Sequence, residues 1–258
     1  MTLFFSQQGE DLLIYRNFIN KTVNDGIFLE LGACNGIVYS NTLFFEKELG
    51  FRGILIEPHK EMYNQLIINR PNNICYNNAV SLVTNDLEFL SSGNGPVSCI
   101  KQNAADGFIN SWHKNSTIIK VKTITLSNIF KEHNITYIDF FSLDVEGSEL
   151  DVLQTINWDN ISIYLICIEL DNHNIEKDKQ CRQILIDNGF IFQTKMCINE
   201  FWLNPNYYRK HILFNPSKKD VFTRNMNDYG KHVWLEKHCK PSIETSIYNF
   251  ENKINETI

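Results

Sequence analysis

From Gly26 onward, short apolar runs alternate with stretches of helical period, and this alternation constrains the fold more than any other feature of the chain. It is the pattern of a mostly parallel sheet wrapped by helices. Strands are predicted at about residues 26–31 (GIFLEL), 53–57 (GILIE), 73–77 (NICYN), 138–143 (IDFFSL) and 163–169 (IYLICIE). Helices fall between them, at about 38–49, 60–69, 147–156 and 177–188, with a leading helix at 8–20. GFIFQTKM and INEFWLN, separated by a turn near Cys197, predict a closing antiparallel hairpin. The alternation breaks between 84 and 125, where Gly93, Gly95 and Pro96 sit in a polar region beside short β-prone pieces such as VSCI and TIIKVKTI. That stretch reads as an insertion forming a strand pair and part of a lid. Residues 204–258 change character again and read as a C-terminal appendage packed on a domain spanning 1–203.

The first strand runs into a loop, FLELGACNG, that places Glu30 beside Gly32, Ala33 and Gly36. A parallel strand that ends in glycines and feeds a helix lets the backbone approach a ligand closely and presents free amides at the helix N-terminus. GACNG has one glycine fewer than the GxGxxG of a pyrophosphate loop, so a pyrophosphate is not required here. Glu30 can then accept hydrogen bonds from an ammonium group. The second strand ends in Glu57, followed by Pro58, where an acid is suited to accept from both hydroxyls of a ribose. An ammonium acceptor, a glycine turn and a ribose acceptor in that order describe S-adenosylmethionine better than NAD. The competing reading is a tight turn with an ordinary acid at a solvated strand end.

Composition limits the partners. A formal net charge of −6 argues against a surface built to neutralise nucleic acid phosphates or anionic lipid. The N-terminal residues MTLFFSQQGEDLLIY lack a basic region and cleavage site, and no apolar run reaches membrane-spanning length, so a cytoplasmic location is expected. The seven cysteines are scattered singly with no CxxC and read as reduced thiols.

SQQGED at 6–11, FLELGACNGIVYSNT at 28–42, GILIEP at 53–58, NNAV at 77–80, IDFFSLDVEGSELDVL at 138–153 and ICIEL at 166–170 together resemble the FkbM family of S-adenosylmethionine-dependent methyltransferases. The resemblance covers about residues 6–203, with DVEGSE its most specific piece. It implies the class I methyltransferase fold: a Rossmann-like α/β three-layer sandwich whose seven-stranded, mostly parallel sheet has one antiparallel strand. It also implies methylation mainly of oxygen on sugars, polyketides and related metabolites. The family often has Asp where Glu30 stands, a change of reach without a change of charge. Under the same resemblance Gln7, with Glu10 or Asp11, forms part of the wall over the cofactor. Ser6 and Gln7 read equally well as the cap of the leading helix, with Glu10 as partner. Asn41 and Thr42 are placed to reach the cofactor's carboxylate, and Asn78 and Ala79 to lie near adenine.

In a doubly wound sheet the ligand lies outside the carboxyl ends of the strands. Asp144 and Glu146 follow the fourth main strand, with Glu146 assigned to the cofactor side. Glu169 ends the fifth, and Asp171, Asn172 and His173 lie just beyond it. A sugar hydroxyl is too weak an acid to attack a sulfonium methyl unaided, so its proton must go to a base, for which Asp144, Glu169 and His173 are candidates. Alternatively a divalent ion such as Mg²⁺, held by Asp144, Glu169 and Asp171, orients and acidifies the hydroxyl. Neither a Pro-Cys dipeptide nor [DNS]PPY is present, which disfavours attack on pyrimidine carbon or on base amino groups. The remaining alternatives are an NAD-linked sugar oxidoreductase and a non-catalytic module that keeps the fold.

Overall fold

The computed structural model describes residues 4–19, 25–83, 85–92 and 97–206. The Gly93-to-Pro96 stretch and nearly all of the expected C-terminal appendage lie outside the described residues. In chain order the first half contains α1 (Glu10–Asn17), β1 (Ile27–Leu31), α2 (Leu43–Leu49), β2 (Arg52–Ile56), α3 (Lys60–Asn69), β3 (Ile74–Tyr76), β4 (Ala79–Val80), β5 (Leu87–Ser91), β6 (Cys99–Ile100) and α4 (Asp106–Trp112). The second half contains β7 (Thr117–Val121), β8 (Thr123–Ile124), α5 (Leu126–Glu132), β9 (Tyr137–Leu143), α6 (Glu149–Gln154), β10 (Ser162–Glu169), α7 (Ile175–Asp187), β11 (Ile191–Met196) and β12 (Asn199–Leu203).

Seven strands form one sheet in the order β11-β12-β10-β9-β1-β2-β3. Its pairings are parallel except where β12 lies antiparallel to both β10 and β11. Successive residues of a strand face opposite sides, and each side carries its own core. Phe28, Leu55 and Phe140 pack with α1, α2 and α3 through Leu12, Phe44, Phe45 and Leu66. Leu29, Ile54 and Phe141 pack with α5, α6 and α7 through Ile129, Leu153 and Leu185. Both faces are therefore covered, which explains why these strands are continuous apolar runs. Each buried Leu, Ile or Phe contributes on the order of 1.5–3 kcal/mol. This is the expected class I methyltransferase arrangement, including its one antiparallel strand.

Two expectations are corrected. The helix expected from residue 38 begins at Leu43, because the Asn35 side chain accepts from the amides of Ile37 at 3.0 Å and Val38 at 2.9 Å and holds the chain in a turn. The 84–125 stretch forms more than a strand pair. β5 is the centre of a three-stranded antiparallel sheet between β6 and β7, followed by a pairing of β8 with β4 and accompanied by α4. Asn103 fastens this unit to α6 by donating from Nδ2 to Ser148 Oγ and Asp151 Oδ2, both at 3.0 Å. Among the described residues no helix is long and apolar enough to cross a membrane, and the six described cysteines are all free thiols.

Candidate active site

Because β1, β2, β9 and β10 are parallel, their carboxyl ends lie side by side, and a cleft of about 1080 Å³, its open mouth included, lies there. Among its walls are Gln7, Glu30, Gly32, Asn41, Glu57, Asn78, Ala79, Asp144 and Glu146, nine of the residues singled out from sequence. Apolar surface comes from Ile56, Met62, Val80 and Val152 of the main domain, and Phe89, Val97 and Ile100 of the 84–125 unit close another side. Part of that unit thus stands where a lid was expected.

Glu57 is fixed by two backbone amides from different loops. Its Oε2 accepts from the Cys34 amide at 2.8 Å and its Oε1 from the His59 amide at 2.7 Å. Each oxygen retains a lone pair, and the carboxylate is held rigidly at the end of β2. Burial pushes its pKa up to about 7.

Glu30 is more heavily committed than an open ammonium acceptor. Its Oε2 accepts from Thr42 Oγ1 at 2.6 Å and Ser40 Oγ at 2.9 Å, and its Oε1 from the Asn41 amide at 2.8 Å. Arg70, fully buried at the end of α3, lies 3.8 Å from Oε2. The same guanidinium donates to the Gly36 carbonyl at 3.0 Å, Ser40 Oγ at 3.1 Å and Thr42 Oγ1 at 3.1 Å, pairs with Glu46, and stacks over Phe28. Thr42 is therefore part of the support beneath the loop and does not line the cleft. Asn41 does line it. Its Nδ2 donates to Ser142 Oγ at 2.9 Å, while its buried Oδ1 has no hydrogen-bond partner among the described residues.

The glycines also meet packing requirements within the protein itself. A Cβ on Gly32, which has φ +75°, would stand 1.9 Å from the Asp144 carbonyl oxygen. One on Gly36, at φ +79°, would meet Leu66 Cδ1 at 2.6 Å and Arg70 Cγ at 2.7 Å. Gly32 lets the end of β1 touch the end of β9, and Gly36 lets the loop lie on α3. Gly36 and Ala33, both assigned to the cofactor from sequence, do not line the cleft.

At the ends of β9 and β10, Asp144, Glu146 and Glu169 each present a carboxylate oxygen within 4.8 Å of the others. Burial and the neighbouring negative charges raise the pKa of Glu146 and of Glu169 well above the usual carboxylate range. Lys177 only partly offsets this, because it is paired with Glu149 and lies 3.3 Å from Asp178. The third acid of the cluster is Glu146 and not Asp171. Asp171 instead accepts from the amide of His173 at 2.9 Å and pairs with its Nδ1. His173 is about half exposed and lies against Phe108, and neither it nor Glu169 is in the cleft wall, which Asp144 does line.

At the N-terminus, Asp11 accepts from Ser6 Oγ at 2.6 Å and the Phe5 amide at 2.6 Å, and Glu10 accepts from the Gln8 amide at 2.9 Å and Asn199 Nδ2 at 2.7 Å. Both acids anchor the strap that carries Gln7 to the cleft. Sequence reasoning missed Arg70 and His59. The latter lines the cleft, and its Nε2 lies 2.8 Å from Ser91 Oγ on β5. Its position two residues beyond Glu57 was the available signal.

A sequence model described as the Methyltransferase FkbM domain matches residues 30–192. No curated protein matches the chain. Among solved structures, an FkbM methyltransferase from Methylobacillus flagellatus KT is similar at 12% identity, with 69% of this chain and 43% of that one covered and a TM-score of 0.44. Aeropyrum pernix fibrillarin, solved with natively bound S-adenosyl-L-methionine, is similar at 12% identity over 77% of this chain and 74% of that one, with a TM-score of 0.43. A TehB-like S-adenosylmethionine-dependent methyltransferase from Corynebacterium glutamicum is 10% identical over 76% and 87%, with a TM-score of 0.39.

Proposed function

The chain belongs to the FkbM family of S-adenosylmethionine-dependent methyltransferases, and on that premise we propose that it methylates a hydroxyl group of a sugar, glycan or related small metabolite. The residues around the cleft fit the cofactor. Glu57 offers two fixed oxygens to a ribose diol, the unpartnered Asn41 Oδ1 and the remaining lone pair of Glu30 Oε1 suit an ammonium, and Ile56, Met62 and Val80 provide apolar surface for a base. When bound, S-adenosylmethionine supplies an electrophilic methyl group on a sulfonium.

The observation that carries the reaction class is the crowding of Asp144, Glu146 and Glu169 at the ends of β9 and β10, where Asp144 and Glu146 line the cleft. Asp144 accepts the acceptor's hydroxyl proton as its oxygen attacks. Burial and the neighbouring acids raise the pKa values of Glu146 and Glu169 beside it. The same three carboxylates are the oxygen donors that Mg²⁺ takes, and an ion held by them would lower the pKa of the hydroxyl. No nucleic acid acceptor is proposed, since the net charge of −6 suits a neutral substrate.

Incubation with methyl-labelled cofactor and host extract, followed by separation into glycan, lipid, protein and nucleic acid fractions, tests the reading. Label in the glycan or small-metabolite fraction is expected; label confined to nucleic acid would reject it.

A further inference from the structure

A second concavity lies on the 84–125 unit, outside the cleft. It encloses about 900 Å³, its mouth included, and is walled by Ser111, Trp112, Lys114, Asn115, Ser116 and Thr117, with Ser91 and Ser92 at its back. Trp112, the last residue of α4, has half of its surface exposed. An indole left open to water forfeits a large burial gain, and here it stands among hydroxyls, an amide and one ammonium. Lys114 makes no ion pair among the described residues.

We propose that this hollow binds a neutral carbohydrate, with Trp112 as the stacking platform and the surrounding side chains as hydrogen-bond partners. Pyranose rings present an apolar C–H face and a polar rim, so they match an exposed indole ringed by hydroxyl and amide groups. The charge balance of the unit favours a neutral ligand. Its described lysines, Lys101, Lys114, Lys120 and Lys122, are nearly matched by Asp86, Glu88 and Asp106, and Lys101 is paired with Glu88 at 2.7 Å. A polyanion would require an excess of cations instead.

The hollow also adjoins the cleft. Ser91 at its back lies 2.8 Å from Nε2 of His59, and Ser92 Oγ lies 3.1 Å from Ser98 Oγ; His59 and Ser98 both line the cleft. One strand, β5, thus separates the two spaces. A glycan with its reacting unit in the cleft would have to pass β5 for further units to meet Trp112. This assignment rests on the sugar acceptor proposed above and extends it to acceptors of two or more units.

Two readouts separate the hollow from the reaction: retention of protein loaded with S-adenosylhomocysteine on an array of neutral oligosaccharides and their monosaccharides, and transfer of labelled methyl to the same array. Retention on oligosaccharides is expected to weaken about tenfold in Trp112→Ala and to recover in Trp112→Phe, which keeps an aromatic face. Transfer to monosaccharides should be unchanged in both variants. Equal retention of wild type and Trp112→Ala, or retention of neither, overturns the hollow even if label is transferred. Retention that Trp112→Ala abolishes, with no label on any sugar, overturns the proposed reaction and leaves the hollow standing. Retention only on RNA or phosphorylated sugars added to the array overturns the assignment to neutral carbohydrate.

Discussion

Two groups of acids, each with a member in the cleft wall, are partnered differently. Around Glu30 and Glu46 a buried guanidinium, two hydroxyls and a backbone amide offset much of the cost of burial, although burial still raises the pKa of Glu30. Around Asp144, Glu146 and Glu169 the carboxylates crowd one another, and the nearest cation, Lys177, is engaged by Glu149. Removing charges from water is expensive unless partners replace the lost hydration. A structure that meets more of this cost at the end of β1 than at the ends of the neighbouring β9 and β10 suits a supporting role at the first and a chemical one at the second. The Glu30 group holds the loop in shape, and the carboxylate cluster is the place proposed for exchange of a proton or a cation.

The largest effect expected from breaking this contrast is on turnover. Asp144→Asn keeps the shape of the side chain and removes its charge. It should lower kcat by about 10² to 10⁴-fold, the range for a lost general base, with nearly unchanged affinity for S-adenosylhomocysteine. Wild-type turnover in this variant would make Asp144 structural. Chelation sharpens the same point: loss of activity in EDTA with recovery on adding Mg²⁺ identifies the cluster as a cation site, and indifference identifies it as a proton site.

The Glu30 group should respond in stability. Arg70→Met leaves Glu30 and Glu46 without their buried partner and should destabilise the fold by about 3–5 kcal/mol, measured by denaturant unfolding. Adding Glu30→Gln should restore part of the loss. A variant as stable as wild type would mean that Arg70 does not neutralise this group.

Glu57 lies between the two extremes, held by amides but facing no cation. Glu57→Ala should weaken S-adenosylhomocysteine binding by about 1–3 kcal/mol in a direct titration. The smallest effect is its pH dependence. The ionised carboxylate is the better acceptor for hydroxyls, and burial raises its pKa to about 7. Affinity should therefore rise between pH 6 and 8 and level off above. Glu57→Gln should flatten that portion of the profile, and an unaltered profile would remove Glu57 from the ribose site. The stability link has the opposite sign. Because the folded pKa exceeds the usual 4.5, the unliganded protein loses stability as pH rises from about 4.5 towards 7 through this group.

Much of this organisation was legible in sequence. The five parallel strands and closing hairpin could be read because a strand buried on both faces leaves an uninterrupted apolar run, as GILIE and IYLICIE do. Glu57 and Asp144 could be read because position at a strand end is itself a sequence signal. Arg70 could not: it is forty residues from Glu30, at a helix end where an arginine is usually solvated, and only the folded chain buries it. The packing need at Gly32 could not be read either, since only register with β9 brings the Asp144 carbonyl against it. His173 and Asp171 had suitable chemistry at a suitable position but satisfy each other, a local pairing that strand-end logic does not anticipate. Helices α4 and α5 went unread, each a seven-residue helix beside short β-prone pieces.

The central claim is that the cleft is built for an adenosyl amino acid, with Glu57 at the ribose and Asn41 and Glu30 at the ammonium. Calorimetric titration of the wild-type protein with S-adenosylmethionine, S-adenosylhomocysteine and NAD tests it most directly. The account predicts saturable one-to-one binding of the first two, weakened in Glu57→Ala, and no binding of NAD. Binding of NAD alone would contradict it.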